Sequence, residues 1–211
     1  AISFFTFQQI SYLVDAYRGQ AEKYSFLHYC LFVTFFPQLI AGPIVHHMEI
    51  IPQFSHKNFL KYRSSHIFMG LTLFALGLFK KVIFADGMAV YASAAFLAAE
   101  NGVILTIYEA WLGSLAYTMQ LYFDFSGYSD MALGLAIMFG FRLPVNFFSP
   151  YKATNIADFW RRWHITLSRM IREYLWDPIS LAMTRLAVRS RYGFIRFFIT
   201  TSLAPTLFTF F

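Results

Sequence analysis

The chain has 211 residues, of which 58% are hydrophobic, 21% are aromatic and only 13% are charged. Soluble globular domains have about 45–50% apolar and about 25% charged residues, so this composition is unusually apolar for one. It also excludes disorder, which needs low hydrophobicity, and a disulfide framework, because the chain has a single cysteine. The composition predicts a surface that faces lipid, and the length predicts one membrane domain over residues 1–211.

The charge balance is basic, with 17 Lys and Arg against 11 Asp and Glu and a formal net charge of +6. Membrane proteins concentrate Lys and Arg in cytoplasmic loops, so this excess needs no nucleic-acid partner. The chain begins at Ala1 without the basic start of a secretory signal, and residues 207–211 stop within an apolar run. We therefore expect a fragment of a longer chain, truncated at both ends.

Five segments approach the roughly 20 mostly apolar residues that a membrane-spanning helix needs: 26–44, 67–85, 103–123, 128–141 and 192–211. Pro37 and Pro43 predict that the first is kinked or re-entrant, because proline removes a helical hydrogen bond. Lys80 and Lys81 lie near the end of the second, where long side chains can reach lipid headgroups. Residues 88–98 are too short to cross a membrane upright and are expected to pack obliquely.

The third and fourth segments are predicted to form a hairpin. Gly134 and Gly140 in the fourth segment favour close packing between helices. Asp124 and Asp130 would flank the turn of the hairpin. Carboxylates within a membrane are costly and often functional. A structural role, as a cap or as a partner of arginine, nevertheless remains an equal alternative to substrate contact.

The densest polar cluster lies at residues 150–178. Asn155 followed by Asp158 predicts a helix N-cap with acidic charge in the first turn, and Pro178 is expected to end that helix. Apolar and aromatic side chains recur at steps of three and four residues on one face, with arginines mostly around the other side: Trp160, Trp163, His164, Leu167, Ile171 and Tyr174 against Arg161, Arg162, Arg169 and Arg172. The predicted fold class is therefore all-α: a polytopic integral membrane helical bundle with broken or re-entrant helices and an amphipathic interfacial helix.

The histidines and the cysteine each allow a structural interpretation. His164 is either a buried histidine hydrogen-bonded to a carbonyl or carboxylate, or a general base that takes a proton from a hydroxyl. His46 and His47 could bind a metal, but no third ligand follows at a convincing spacing, so we expect a solvated loop pair and no metal site. Cys30 is expected to act as a small hydrophobic residue.

Four long motifs identify a resemblance over nearly the whole chain. They are FFPQLIAGPIVH at 35–46, YFDFSGYSDMALG at 122–134, FRLPVNFFSPY at 141–151 and ATNIADFWRRWHITLSRMIREYLWDP at 153–178. In this order they resemble the membrane-bound O-acyltransferase family, and within it the bacterial branch that O-acetylates alginate. Arg169 and residues 177–180 depart from the family pattern.

The resemblance implies an enzyme that moves an acyl group, with acetyl as the first candidate, from a thioester to hydroxyls of an exported polysaccharide. It implies a bacterial inner-membrane location and an acceptor that is the polymer or an acyl-relay protein. No cofactor is expected to be bound, since the thioester (acetyl-CoA or a similar donor) is a co-substrate. His164 matches the first of two hallmark histidines, and the second is expected beyond residue 211, so the fragment alone should be inactive.

The resemblance also suggests roles for the polar cluster. His164 would act as base or orient the substrate, and Asp158 would help to position it. Asn155 or Trp163 could stabilise a developing oxyanion. Arg161 and Arg162 could face the donor's phosphates, although the arginine cluster could equally only set the orientation in the membrane or bind anionic lipid.

The remaining candidates for a substrate-binding or positioning role are Trp160, Asp124 and Asp130. A transport or export subunit without chemistry remains an alternative function, because broken helices with polar midpoints are expected there too. A scaffold that recruits a soluble acetyltransferase is a further one.

Overall fold

The computed structural model describes residues 2–20, 24–39, 42–54 and 63–189. The predicted segment 192–211 therefore lies outside the described residues. The regular elements of the described ranges are helical, which confirms the predicted all-α class. The helices are α1 (Ile2–Tyr17), α2 (Phe26–Thr34), α3 (Phe36–Leu39), α4 (His47–Phe54), α5 (Ser64–Phe79), α6 (Asp86–Glu100), α7 (Ile107–Met138), α8 (Ile156–Arg162), α9 (Ile165–Ile171) and α10 (Asp177–Arg189).

The first apolar segment is kinked, as its prolines predict. Helix α2 begins after Ser25, whose hydroxyl accepts the His28 backbone N–H, and it ends at an extended Phe35. Helix α3 then starts with Pro37 in its first turn, where proline is tolerated because that N–H has no helical partner. Phe32 is fully buried in a core that also includes Val45, Ile50, Ile51, Phe54, Ala136, Phe141 and Leu143.

Helices α5 and α6 form one continuous helix from Ser64 to Glu100, which is long and apolar enough to cross a membrane. A π-helical stretch, Lys80–Ala85, joins them. The expectation that residues 88–98 form a separate oblique element is therefore wrong. No proline or cap interrupts this stretch, and a π-helical turn keeps the backbone hydrogen-bonded, so the helix passes through it without ending. Lys80 and Lys81 consequently lie in the middle of the helix and not near its end.

Helix α7 is a single helix of 32 residues, so the predicted hairpin between segments 103–123 and 128–141 is wrong. Thr106 caps its N-terminus in a reciprocal box with Glu109. Ser126 and Gly127, in the predicted turn, are buried. Gly127 does not break the helix, because its bare backbone packs against the preceding long helix.

The two long helices pack against each other through pairs of glycines. A Cβ atom added to Gly134 would lie 2.6 Å from the carbonyl oxygen of Gly70, and one added to Gly127 would lie 2.8 Å from that of Gly77. This approach confirms the close packing that Gly134 predicts. Gly140 instead follows the end of α7 with a φ of +83°, a left-handed value that favours glycine at a helix C-terminus.

The polar segment after α7 does not form the single amphipathic helix that its periodicity predicts. Asn155 caps α8, as expected, by accepting the Asp158 backbone N–H over 2.8 Å. The helix then ends at Arg162, and α9 starts after His164. The predicted single face is therefore divided between two helices.

The predicted stop at Pro178 is also wrong. A π-helical stretch, Arg172–Trp176, leads from α9 directly into α10, and Pro178 is the second residue of that helix. Proline is tolerated in the first turn of an α-helix, and Pro178 lies in the first turn of α10, directly after the π-helical stretch, so the chain continues to Arg189.

Candidate functional site

His164 occupies the break between α8 and α9 in a strained backbone conformation. Its φ of 43° and ψ of 55° lie in the left-handed region, which residues other than glycine adopt uncommonly, asparagine, aspartate and histidine most often among them. The residue is 7% exposed. Such strain persists only where the surroundings hold it, and it concentrates at functional sites.

Asn146 supplies those surroundings from the loop that follows α7. Its backbone carbonyl accepts the Ile165 N–H over 2.9 Å. Its side-chain Oδ1 lies 2.9 Å from Nδ1 of His164 and 3.0 Å from Oγ1 of Thr166. Asn146 is itself completely buried. One amide residue thus fixes both the turn and the imidazole ring that the turn presents.

The same contacts determine which nitrogen of His164 carries the proton. The backbone N–H of Thr166 also faces Oδ1 of Asn146, at 3.4 Å, and an N–H can only donate. The Asn146 atom on this side is therefore the oxygen, and Nδ1 of His164 must donate to it. In the neutral ring Nε2 is then the basic nitrogen, which can accept a proton or a hydrogen bond.

Burial keeps the His164 ring neutral. Phe125 packs edge-on against it with ring centroids 4.7 Å apart, and Phe147 lies at 6.2 Å. His164 lies outside the long helices, and its desolvation lowers the pKa to about 4. At neutral pH the ring is therefore uncharged, a strong hydrogen-bond acceptor but a weak proton acceptor.

Helix α8, which ends two residues before His164, carries predicted site residues with different exposures. Asp158 accepts a 2.9 Å bond from Nε of Arg162, whose guanidinium lies over the Phe148 ring. Arg161 and Trp160 are exposed, and Trp160 retains 55% of its accessible surface. Trp163 stacks on Phe159 and also contacts Phe147 and Tyr122. The structure thus brings Trp163 next to His164, whereas Trp160 and Arg161 face outward.

Asp124 and Asp130 are engaged in ion pairs between the two long helices. Both lie within α7 and form ion pairs with the long helix opposite: Asp124 with Lys81 and Asp130 with Lys80. Lys81 also pairs with Asp86. Both carboxylates thus have the structural role of ion-pair partner that the sequence left open, although the partners are lysines and not arginines.

A second polar cluster lies at the start of α4, where a solvated pair of histidines was expected. That expectation is wrong, because His47 is completely buried. Oδ2 of Asp15 lies 2.8 Å from Nε2 of His46 and 2.9 Å from Nε2 of His47, and the Tyr174 hydroxyl donates to the same oxygen over 2.6 Å. The burial of Asp15 opposes its ionisation, but the bonds from Tyr174 and His47 outweigh it and lower the pKa of Asp15.

The second cluster forms one wall of an open cavity of about 840 Å³. Arg18, Arg169 and Arg185 line it together with carboxylates. Arg169 binds both carboxylate oxygens of Glu49 and is thereby neutralised. The two sites are connected, because Thr166 accepts the Ile44 backbone N–H over 3.0 Å, two residues before His46.

Comparison with known proteins assigns this arrangement to a family. The model of the membrane-bound O-acyltransferase family (MBOAT) matches residues 2–199. The chain belongs to this family. The predicted resemblance and the predicted membrane fold are thereby confirmed.

Several bacterial MBOAT proteins resemble the chain. A peptidoglycan O-acetyltransferase of Helicobacter pylori is 51% identical over 85% of this chain and 38% of its own length. A probable alginate O-acetylase, AlgI, of Pseudomonas aeruginosa is 47% identical over 87% of the chain and 34% of its own length. A teichoic acid D-alanyltransferase of Bacillus subtilis is 29% identical over 87% of the chain and 46% of its own length. The chain thus spans little more than a third of the two more similar proteins.

Sequence reasoning missed Asn146, Thr166 and Asp15 in this MBOAT chain. Asn146 lies in the motif FRLPVNFFSPY, where an amide between apolar residues in a loop is the signal that could have found it. Thr166 follows His164 by two residues, a spacing that places them on one face only if the helix breaks between them. Asp15 could not be linked to His46 from spacing, because the two are distant in sequence.

Proposed function

We propose that this MBOAT chain belongs to a membrane enzyme that transfers an acyl group, acetyl in the first instance, from a thioester to hydroxyls of an exported polysaccharide. The observation that carries the proposal is the buried neutral imidazole of His164, held by Asn146 in a strained turn. The names of two relatives support it, since one is a peptidoglycan O-acetyltransferase and the other a probable alginate O-acetylase.

The reaction forms an ester bond between the acceptor oxygen and the acyl carbon and breaks the bond between that carbon and sulfur. The hydroxyl proton leaves the acceptor, and the departing thiolate ends as a thiol. A hydroxyl is a weak nucleophile at neutral pH, so a hydrogen-bond acceptor beside it helps the attack. Nε2 of His164 is proposed to be that acceptor.

The low pKa of His164 favours an orienting role over that of the base that removes the proton. A general base works best when its pKa lies near the operating pH, and burial holds the His164 pKa near 4. His164 would then align the hydroxyl by accepting its hydrogen bond through Nε2. A second group would take the proton in the transition state.

Helix α8 is proposed to contribute on the donor side. Arg161 is exposed and lies in the last turn, where a thioester's phosphate groups could reach it. Arg162 is tied to Asp158 and would position the helix more than bind the donor. The Trp163 indole N–H and the Asn155 amide are the candidate donors to an oxyanion. In this proposal no cofactor is bound, and the donor is a coenzyme A thioester or a similar one.

The proposed setting is the bacterial inner membrane. The polymer hydroxyl, or a protein that relays the acyl group to it, would be the acceptor on the extracytoplasmic side. Lipid would surround the apolar faces of the two long helices, where large side chains such as Phe68, Leu71 and Trp111 are exposed.

Replacing His164 in the native gene tests the proposal. We expect His164→Gln to lower acyl transfer at least 100-fold, because glutamine cannot offer the basic Nε2. The purified protein is incubated with a radiolabelled acyl thioester and extracted envelope polysaccharide, and the label transferred to the polysaccharide is measured. Mild alkali should release this label, because it cleaves esters. His66→Gln, on α5, is the matched control. Full transfer by His164→Gln at normal protein level would refute the role of His164. No thioester-dependent transfer by the wild type would refute the enzyme and favour transport or scaffolding.

A further inference from the structure

Three potential metal ligands converge at the start of α4, and each belongs to a buried or largely buried residue. Oδ2 of Asp15, Nε2 of His46 and Nε2 of His47 all lie within 4.8 Å of one another. Asp15 is 3% exposed, His47 is 0% exposed, and the His46 side chain is 14% exposed. We propose that these three residues bind a divalent transition-metal ion, with Zn²⁺ as the first candidate.

The donor geometry suits one ion. Zinc sites are tetrahedral, with imidazole nitrogen at about 2.0–2.1 Å, so two ligand atoms of one ion lie about 3.4 Å apart. The two Nε2–Oδ2 distances of 2.8 and 2.9 Å are shorter than that separation by about half an ångström. The imidazole rings have centroids 4.4 Å apart, where about 5.2 Å is expected for two imidazoles on one tetrahedral ion. The side chains would need only small shifts.

The chemistry of the ligands selects the class of ion. Two imidazole nitrogens and one carboxylate oxygen suit zinc and other late divalent transition metals, whereas calcium and magnesium prefer oxygen ligands. Tyr174 lies against the same point, with its hydroxyl 2.6 Å from Oδ2 of Asp15. It would either complete the ligand set or donate to the bound carboxylate, as partners of metal ligands commonly do.

Binding requires a change of proton position in the two rings. Each Nε2 must lose its hydrogen, so each neutral ring must carry its proton on Nδ1. For His46 this breaks the 3.3 Å contact in which Nδ1 accepts the Met48 backbone N–H, which lies at an exposed residue. Nε2 of His46 also exchanges its contacts with Asp15 and the Tyr174 hydroxyl for the metal bond. Nε2 of His47 exchanges its 2.9 Å hydrogen bond to Asp15 for the metal bond, and the proton moves to Nδ1, which has no hydrogen-bond partner in the described part of the chain.

The ion has a route to the cluster. Asp15, His46 and Tyr174 line the cavity of about 840 Å³, and Glu173 and Asp177 line it as well. These carboxylates lower the energy of a cation on the way in, whereas Arg18 and Arg185 on the same lining raise it.

Once bound, the ion would connect α1, the start of α4 and the π-helical stretch that contains Tyr174. These segments are distant in sequence, so the expected role is to stabilise the cavity wall. This role does not depend on acyl transfer.

The test measures metal content directly. The native protein is purified in detergent with an affinity tag that contains no histidine, incubated with Zn²⁺, passed through a desalting column and analysed by mass spectrometry of the elements. We expect about one zinc per chain for the wild type and for the control His66→Gln. Asp15→Asn and His47→Gln, which keep the side-chain volume, should each lower the content at least tenfold.

A second measurement does not need the substituted ligands, so it stays informative if those variants fail to fold. Zn²⁺ should raise the thermal unfolding midpoint of the wild type and of His66→Gln, because a ligand that binds only the folded state stabilises it. A folded wild type without zinc above background, or equal zinc in Asp15→Asn, would overturn the proposal and leave a cluster held by hydrogen bonds alone.

Discussion

Nδ1 of His164 donates a hydrogen bond of 2.9 Å to Oδ1 of Asn146, across 18 residues of sequence. The oxygen also accepts from Thr166, so the amide of Asn146 cannot rotate without losing bonds. The bond therefore fixes the orientation of the ring and its proton. In this respect Asn146 acts as a positioning residue for His164, and its effect should be visible in activity.

Asn146→Leu keeps the volume of the side chain and removes the acceptor. We expect acyl transfer to fall about 10- to 100-fold, by analogy with the loss of the hydrogen-bond partners that orient metal-ligating histidines. The measurement is kcat and KM for the acceptor polymer, with protein level checked by immunoblot. Ser129→Ala, which removes only the 3.3 Å contact with Nδ2 of Asn146, is the control and should lose less than threefold. Equal losses in both variants would contradict the role of Asn146.

Asn146→Asp tests the electrostatic side of the same bond. A carboxylate at this point still accepts from Nδ1 and also attracts the charged imidazolium, so it should raise the His164 pKa above its native value near 4. The acid limb of the pH–rate profile of kcat/KM should therefore move to higher pH in this variant. An unchanged acid limb in an active Asn146→Asp enzyme would show that His164 does not set that limb.

The sequence predicted the class of the fold because composition determines the solvent in which the chain is stable. It also predicted Asn155 as a cap and Gly134 as a packing residue, since each acts through local geometry. Neither composition nor local geometry predicts that α5 continues into α6 or that α7 is a single helix. A buried glycine or serine looks like a turn in the sequence, and only the neighbouring helix shows that it is a packing surface.

The site was predicted in part. His164 stood out from its motif, but its periodicity suggested one helix where the structure has a break, because positive φ at a non-glycine residue leaves no local signal. Asn146 and Asp15 act through contacts that span 18 and 31 or more residues, which spacing does not encode. The roles of Asp158, Arg161 and Trp163 remain predictions.

The lowered pKa of His164 makes a prediction about stability against pH. Burial disfavours the charged ring. As the pH falls, His164 therefore takes up a proton near pH 6.5 in the unfolded chain but only near pH 4 in the folded protein. Stability from this residue is thus complete above pH 6.5 and is lost as the pH falls towards 4. The pKa difference corresponds to about 3 kcal/mol at the acid end.

Removing the titratable ring should remove that dependence. The thermal midpoint of the wild type in detergent should fall more between pH 7.5 and pH 5 than that of His164→Gln. Other groups titrate equally in both proteins, so the difference between the two slopes isolates His164. Parallel slopes would mean that the folded protein protonates His164 as readily as the unfolded chain.

The ion pair between Lys80 and Asp130 is expected to serve stability and not substrate binding. Asp130→Asn leaves a partly buried lysine without its partner, which is destabilising because the remaining charge is incompletely solvated. We expect a lower thermal midpoint and an unchanged KM for donor and acceptor. The exchanged variant, Lys80→Asp with Asp130→Lys, should recover part of the midpoint. A rise in KM at an unchanged midpoint would instead support substrate contact.

Two glycines of the long helices should respond to alanine in opposite directions. At Gly134 an added Cβ meets backbone atoms of the facing helix, 2.6 Å from the Gly70 oxygen and 2.7 Å from the Phe74 nitrogen, so the helices must separate. At Gly87 nothing lies within 4 Å, and alanine is a better helix former than glycine by about 1 kcal/mol. Gly134→Ala should therefore lower the thermal midpoint by several degrees, while Gly87→Ala should leave it equal or higher. A stable Gly134→Ala protein would mean that the two helices do not approach each other this closely in the membrane.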